Sequence, residues 1–364
     1  MTDPAIDFED LERLVAARGP PGAEYPVADE FADLVEPYVD SVSYDEMGNV
    51  VATSEGDPDA PELMLAAHTD ELAMLVDGVT DDGFLEYTML GGHYKGNFPG
   101  QQVRVGPDGV PGVIGPKSRH LMSDDEKESL AENLVVDVGA TTREGVADLN
   151  IEPGDHATWD REVTRLANDL IAGRALDDRV ELAMLLALAR SEAAADDPAD
   201  ATIHYVATVQ EEVGLRGARA AGYSVNPDVA IALDIFPADD YPAGGDDGPG
   251  VELDAGPVVE FGDGTSEYLF NGVLVDRQTR TWLTDAAEAR DIDVQHAVMI
   301  RGTTDATELQ QVRGGRHAGA VGVPCRYTHS PVETLSLADA NEATELLAEA
   351  IRTEFPGREE VRRG

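Results

Sequence analysis

The sequence reads as an α/β protein: a mixed, mostly parallel sheet wrapped by helices, interrupted by a small β-rich unit. Two observations carry this reading. Before residue 72 and after residue 161, apolar runs of strand length alternate with helical patterns, the order that produces crossover-linked parallel strands. Between them the alternation gives way to short strand-like pieces separated by glycine turns, as an inserted unit would show.

In chain order, Glu9–Tyr38 carries apolar residues at helical spacing, and the turn RGPPG inside it predicts two helices. VSYDEMGNVVATSEG and APELMLAAHTDELAMLVDGV predict strands separated by turns. Within the second, LMLAAH suits a buried strand ending at a polar site. From Leu72 to Trp159 follow FLEYTML, QQVRVGPDG, VPGVIG, LVVDVG and a closing PGDHATW, with SDDEKESLAENL expected as a surface helix or loop. LDDRVELAMLLALARSEAAA predicts a strongly amphipathic helix, ATIHYVATVQEE a strand, and RGARAAGY a helix start. DVAIALDIF predicts a buried strand, TRTWLTDAAEARD a helix, VQHAVMI a strand, and LADANEATELLAEAIRTEF a closing helix. PADDYPAGGDDGPGVELDAG is an acidic stretch of low complexity, expected as a surface loop.

A chain of 364 residues with 42% hydrophobic content has ample material for a core. It holds no apolar run of about 18 residues, so no membrane span is expected. Its start, MTDPAIDFEDLERLV, lacks the basic-then-apolar order of a secretory signal. A single cysteine, Cys325, excludes an internal disulfide and fits a reducing compartment, so the cytoplasm is the expected location. The charge balance is extreme: 26 Lys and Arg against 72 Asp and Glu leave a formal net charge of −46. Only Lys95, Lys117 and Lys127 are lysines. Such self-repulsion is costly in dilute buffer, whereas molar salt shortens the Debye length to about 3 Å. The composition therefore reads as salt-adapted. An acidic patch for basic partners fits less well, because the charge is spread along the chain. With no basic stripe, nucleic acid is an unsuitable partner.

In an α/β fold, ligands gather beyond the carboxyl ends of the strands. Four predicted strand ends carry His or carboxylates: His68 with Asp70, Glu211 with Glu212, Asp234, and His329; Asp177-Asp178-Arg179 marks a helix entry. Singly, each has an ordinary reading: a half-buried histidine, an acidic surface pair, or an N-cap pair at Asp177-Asp178. Asp70 strengthens His68, because residues two apart on an extended segment share a side. Its carboxylate could then fix the tautomer of a metal-binding imidazole. Adjacent Glu211 and Glu212 would face different ways, one toward a metal and one toward its water. Nitrogen and oxygen donors of this kind suit Zn²⁺ or Co²⁺, and a shared carboxylate suits a pair of ions.

The stretches AHTDE, PGQQVRV, GVIGPKSRHLM, VVDVGA, LDDR, VQEEVGLRGA, ALDI, TTDAT and VPCRYTHSPVE occur in the order found in the tetrahedral (TET) aminopeptidases. The chain resembles that family, which is related to glutamyl aminopeptidase and to proteins once described as cellulases. The resemblance implies a zinc-aminopeptidase-like catalytic domain, residues 1–71 and 162–364, interrupted by a small β-barrel-like dimerisation domain, residues 72–161. It implies that His68 and Asp234 hold one metal, Glu212 and His329 the other, and that Asp177 bridges them. Glu211 would be the general base and Asp70 would orient His68. The expected activity is removal of amino-terminal residues from peptides by metal-activated water, with two divalent ions, Zn or Co, per subunit. The expected assembly is a homo-oligomer, a dodecamer built from dimers. Two departures lie near the substrate pocket: Arg301-Gly302-Thr303 precedes Thr304-Asp305 where the family has two glycines, and His296 follows Gln295. The alternative enzyme readings are a metallo-hydrolase acting on another amide and glycoside hydrolysis, of which the latter needs two carboxylates flanking a sugar bond and no dinuclear centre. A non-catalytic assembly protein of this fold would be expected to have lost Glu211 or a ligand, and none is lost.

Overall fold

The structure, a computed structural model, describes residues 4–124, 134–242, 244 and 248–357. Most of SDDEKESLAENL (125–133) and part of the acidic loop (243 and 245–247) lie outside the described residues. The chain opens with α1 (Phe8–Ala16) and α2 (Tyr25–Val35), separated by the RGPPG turn. Asp7 caps α1 by accepting the Glu9 N–H at 2.9 Å. The hairpin β1 (Ser41–Tyr44) and β2 (Val50–Ser54) precedes β3 (Glu62–His68).

Six strands then close a barrel: β4 (Ala73–Val79), β5 (Phe84–Leu90), β6 (Gln102–Val105), β7 (Val110–Gly115), β8 (Val135–Asp137) and β9 (His156–Trp159). Their order is β4-β5-β8-β7-β6-β9, with the short helix α3 (Arg143–Ala147) leading toward the last strand. Alternation decides what points inward: Val103 and Val105 join Met74, Leu85, Ile114 and Trp159 in the barrel core, while Arg104 faces out to Asp160.

After the barrel come β10 (Thr164–Arg165), β11 (Leu170–Gly173), α4 (Leu176–Ala193), β12 (Thr202–Thr208), α5 (Arg216–Val225) and β13 (Val229–Pro237). Then follow β14 (Val258–Gly264), α6 (Arg277–Ala289), β15 (Gln295–Ile300), α7 (Ala306–Leu309), β16 (His317–Arg326), β17 (Glu333–Ser336) and α8 (Leu337–Ala350). These strands join β1–β3 in an 11-stranded sheet. Its centre, β12-β3-β13-β16, is parallel, and antiparallel strands flank it. Burial on both faces explains the continuous apolar runs Leu63–Ala67 and Val229–Leu233. Among the described residues, no helix is long and apolar enough to cross a membrane.

One helix differs from its sequence reading. LDDRVELAMLLALARSEAAA forms α4, yet residues 173–189 are buried without interruption, so the helix has no wet face. The sheet strands β3 and β13 lie on one side of it, and α1, α2 and α8 pack over the others. Its polar residues Asp178, Arg179 and Glu181, which resemble a solvent-facing stripe in sequence, point into the protein.

Candidate metal centre

Parallel pairing sets the level of the first two candidate ligands. On β3 and β13 the last ladder pair is Ala66–Ala232. His68 and Asp234 each lie two residues further on, level with one another and on the same face. His68 ends its strand, but Asp234 lies inside β13 rather than at its end. Beside them, β12 ends opposite His68 at Thr208, and the following turn delivers Glu211 and Glu212.

Asp177 and Asp178 do not cap α4 with their side chains. Both have non-helical backbone angles, with ψ of 96° and 33°, so the helix proper starts after them. Asp178 Oδ2 instead accepts the His68 backbone N–H at 2.7 Å, anchoring the strand end. Asp177 turns its carboxylate between the two histidines: Oδ1 lies 3.0 Å from His68 Nε2, and Oδ2 lies 3.5 Å from His329 Nε2. Glu212 Oε2 lies 3.8 Å from the same nitrogen of His329. Two groups of possible ligand atoms result, each with its atoms within 4.8 Å of one another: His68, Asp177, Asp178 and Asp234, and Asp177, Glu212 and His329. Asp177 belongs to both.

Asp70 has a wider part than expected. Its carboxylate accepts the backbone N–H groups of Glu211 and Glu212 at 2.9 and 3.0 Å, fixing the turn that carries them. Its Oδ1 lies 3.5 Å from His68 Nδ1, while its own backbone oxygen is closer, at 3.1 Å.

The electrostatics test whether a cation fits. Burial pushes the carboxyls of Asp178, Glu211 and Asp234 well above their ordinary range, and their acidic neighbours add to it. Burial likewise raises Glu212 and Glu181 to about 7. Burial opposes the imidazolium of His68, yet Asp178, Asp177 and Asp70 hold its pKa well above the usual value. Glu212 and Asp177 raise His329 to about 11. Burial would raise Asp177 too, but the two histidines hold it below the ordinary range. Among the described residues no Lys or Arg pairs with these ligand carboxylates, and Asp178 Oδ1 and Glu212 Oε1 are buried without a hydrogen-bond partner. A dense, largely buried, all N/O donor set whose carboxylates outnumber its two imidazoles and have no Lys or Arg partner among the described residues fits a pair of divalent ions.

Two nearby guanidiniums are committed elsewhere. Buried Arg174 pairs with Glu71, and fully buried Arg179 donates to Leu14 O at 3.1 Å and approaches Glu71 at 3.5 Å. Burial would raise the Glu71 carboxyl, but these two arginines hold it below the usual range. Glu71→Ala would leave two buried cations unpaired, and a loss of about 3–5 kcal/mol is expected, read as a lower denaturation midpoint in molar salt.

Glu333 and Glu181 also belong to the site, although sequence reasoning did not single them out. Glu333 accepts backbone N–H groups from both Asp177 and His329, each at 3.1 Å, tying the two ligand segments together. Its signal is its place four residues after His329 in THSPVE. Glu181 lies one helical turn beyond Asp177 and Asp178, buried beside the latter. A cavity of about 470 Å³ opens over the centre, lined among others by Glu211, Glu212, Asp234, Met299, Arg301 and His329.

Comparison with known proteins places this arrangement. The profile of the family described as M42 glutamyl aminopeptidase matches residues 48–346. The lysyl aminopeptidase of Pyrococcus furiosus is 32% identical over 359 residues, covering 96% of this chain and 98% of that protein. The solved structure of aminopeptidase APDkam598 from Desulfurococcus kamchatkensis is similar with a TM-score of 0.88, 36% identity and 94% coverage of each chain. The Pyrococcus horikoshii TET1 peptidase, described as able to assemble into a tetrahedron or a large octahedral shell, is similar with a TM-score of 0.82 and 29% identity, covering 96% of this chain and 99% of that one.

Proposed function

This chain belongs to the M42 glutamyl aminopeptidase family and is an aminopeptidase; we propose that it cleaves single residues from free peptide amino termini at a dinuclear centre held by His68, Asp177, Glu212, Asp234 and His329. The observation that supports this most is the Asp177 carboxylate, one oxygen facing each histidine. Two bound ions, Zn²⁺ or Co²⁺ by donor chemistry, would supply a water acidic enough to ionise near neutrality and a Lewis acid for the scissile carbonyl. Glu211 lines the cavity and acts as general base, taking the proton from the attacking water and returning it to the leaving amine. Its place is set by its backbone N–H on Asp70. Asp70 also supports His68.

The carboxylate-rich wall holds the substrate's α-ammonium and gives the enzyme its direction of attack. Acetylating the amino terminus removes a charge-assisted hydrogen bond of about 1.5–3 kcal/mol, so kcat/KM should fall about 10- to 150-fold. A panel of aminoacyl-p-nitroanilides and their acetylated forms, assayed in high salt with Zn²⁺, Co²⁺ or Mn²⁺, tests this. Efficient cleavage of blocked or internal bonds would point to an endopeptidase.

The assembly proposed is a homo-oligomer, a dodecamer built from dimers that form through the inserted unit 72–161. Support comes from the shell-forming relative. Each copy carries −46, so interfaces close only when that charge is screened. A large active particle in molar KCl is expected to dissociate below a few tenths molar, as followed by light scattering along a salt series. A stable monomer at high salt would count against the assembly, and a large active particle in dilute buffer against salt adaptation. The single Cys325, buried and free, fits a cytoplasmic setting.

A further inference from the structure

We infer that the backbone carbonyl of Gly92, delivered by the barrel, orients His329, so that the turn 91–93 is a positioning element of the metal centre. The inference rests on the metal-site reading given above. His329 is the least supported candidate ligand: it sits between β16 and β17 with φ of 57°, and its side chain is 41% exposed, against 2% for His68. What fixes its ring is Nδ1, 3.1 Å from Gly92 O across 237 positions of sequence. A proton donated there leaves the lone pair of Nε2 for an ion, and Nε2 faces Asp177 and Glu212. His68 uses the same device, but its acceptor is the carbonyl of Asp70, two residues away.

The turn is shaped for this contact. A Cβ on Gly92 would stand 2.9 Å from His329 Nδ1 and 3.3 Å from Cε1, so any side chain displaces the ring. Gly91 has φ of +86°, and a Cβ there would meet Leu72 at 2.2 Å. His93 clamps the turn to the barrel: its Nε2 lies 3.0 Å from Ala73 O, and its ring stands edge-on to Phe98 and Trp159, at 5.2 and 5.9 Å. The α/β sheet therefore supplies the ligand, and the barrel supplies what aims it.

Zn²⁺ titration of the metal-depleted full chain in molar salt, in competition with a chelator, tests this apart from turnover. Wild type should bind two ions and His329→Ala one tightly; if His329→Ala keeps two tight ions, the ligand assignment itself fails. Gly92→Ala should weaken one ion about 10–100-fold, leaving the other ion and the melting temperature of the metal-free protein unchanged. The double variant Gly92→Ala/His329→Ala should bind no more weakly than His329→Ala alone. Two wild-type affinities in Gly92→Ala, or additive losses in the double variant, would overturn the inference. Should Gly92→Ala fail to fold, His93→Ala loosens the clamp without touching His329. It should weaken the same ion several-fold, and unchanged affinity would equally overturn the proposal.

Discussion

Glu211→Gln is expected to lower kcat by about 10²–10⁴-fold while both ions remain bound. Glu211 belongs to neither group of ligand atoms, and the substitution keeps the shape of the side chain. The backbone N–H that Asp70 accepts is untouched. The loss should fall on kcat with little change in KM, because proton transfer is needed only on the way to the transition state. Steady-state kinetics together with metal analysis of the same sample decide it. Near-normal turnover would place the general base elsewhere, and a missing ion would make Glu211 a ligand.

Asp177→Ala should be worse in a different way. Asp177 is shared by both ligand groups and faces both histidines, so both affinities should weaken together by more than about 100-fold, beyond the cost of losing an outer-shell partner. Activity at micromolar metal should disappear with them. Its backbone N–H on Glu333 survives the change, so the strand ends should keep their positions. Two ions bound with wild-type affinity would remove Asp177 as the bridge.

Two of the candidate ligands stand out in sequence because a polar residue in or just after a short apolar run is conspicuous. LMLAAH stops at His68, and DVAIALD carries a carboxylate no buried strand tolerates without a partner. Residues whose role depends on distant partners were not legible. Asp178 looks like a helix cap, yet it holds a strand end 110 positions away. Asp70 reads in sequence as a partner for a nearby ring, and its carboxylate lies 3.5 Å from that ring, but it also accepts amides 141 and 142 positions on, which the sequence does not announce. The burial of α4 was hidden for a related reason. Its charged residues mimic a solvent stripe, and only the packing of three helices over it reveals that no such face exists. Glycine turns exposed the β-rich stretch, but alternation alone does not say that β4 closes on β9.

That closure has an evolutionary consequence. Met74 pairs with Ala157, so the chain leaves the α/β sheet and returns to it at neighbouring points, and for the rest of the molecule the whole barrel amounts to one long loop. Lengthening a loop costs only about 0.6 kcal/mol per doubling. A barrel of another size can thus stand as a cassette between the same two points of the chain, while the spacing of His68, Asp177 and Asp234 stays fixed. A replacement cassette would carry one obligation: a side-chain-free carbonyl where Gly92 now meets His329.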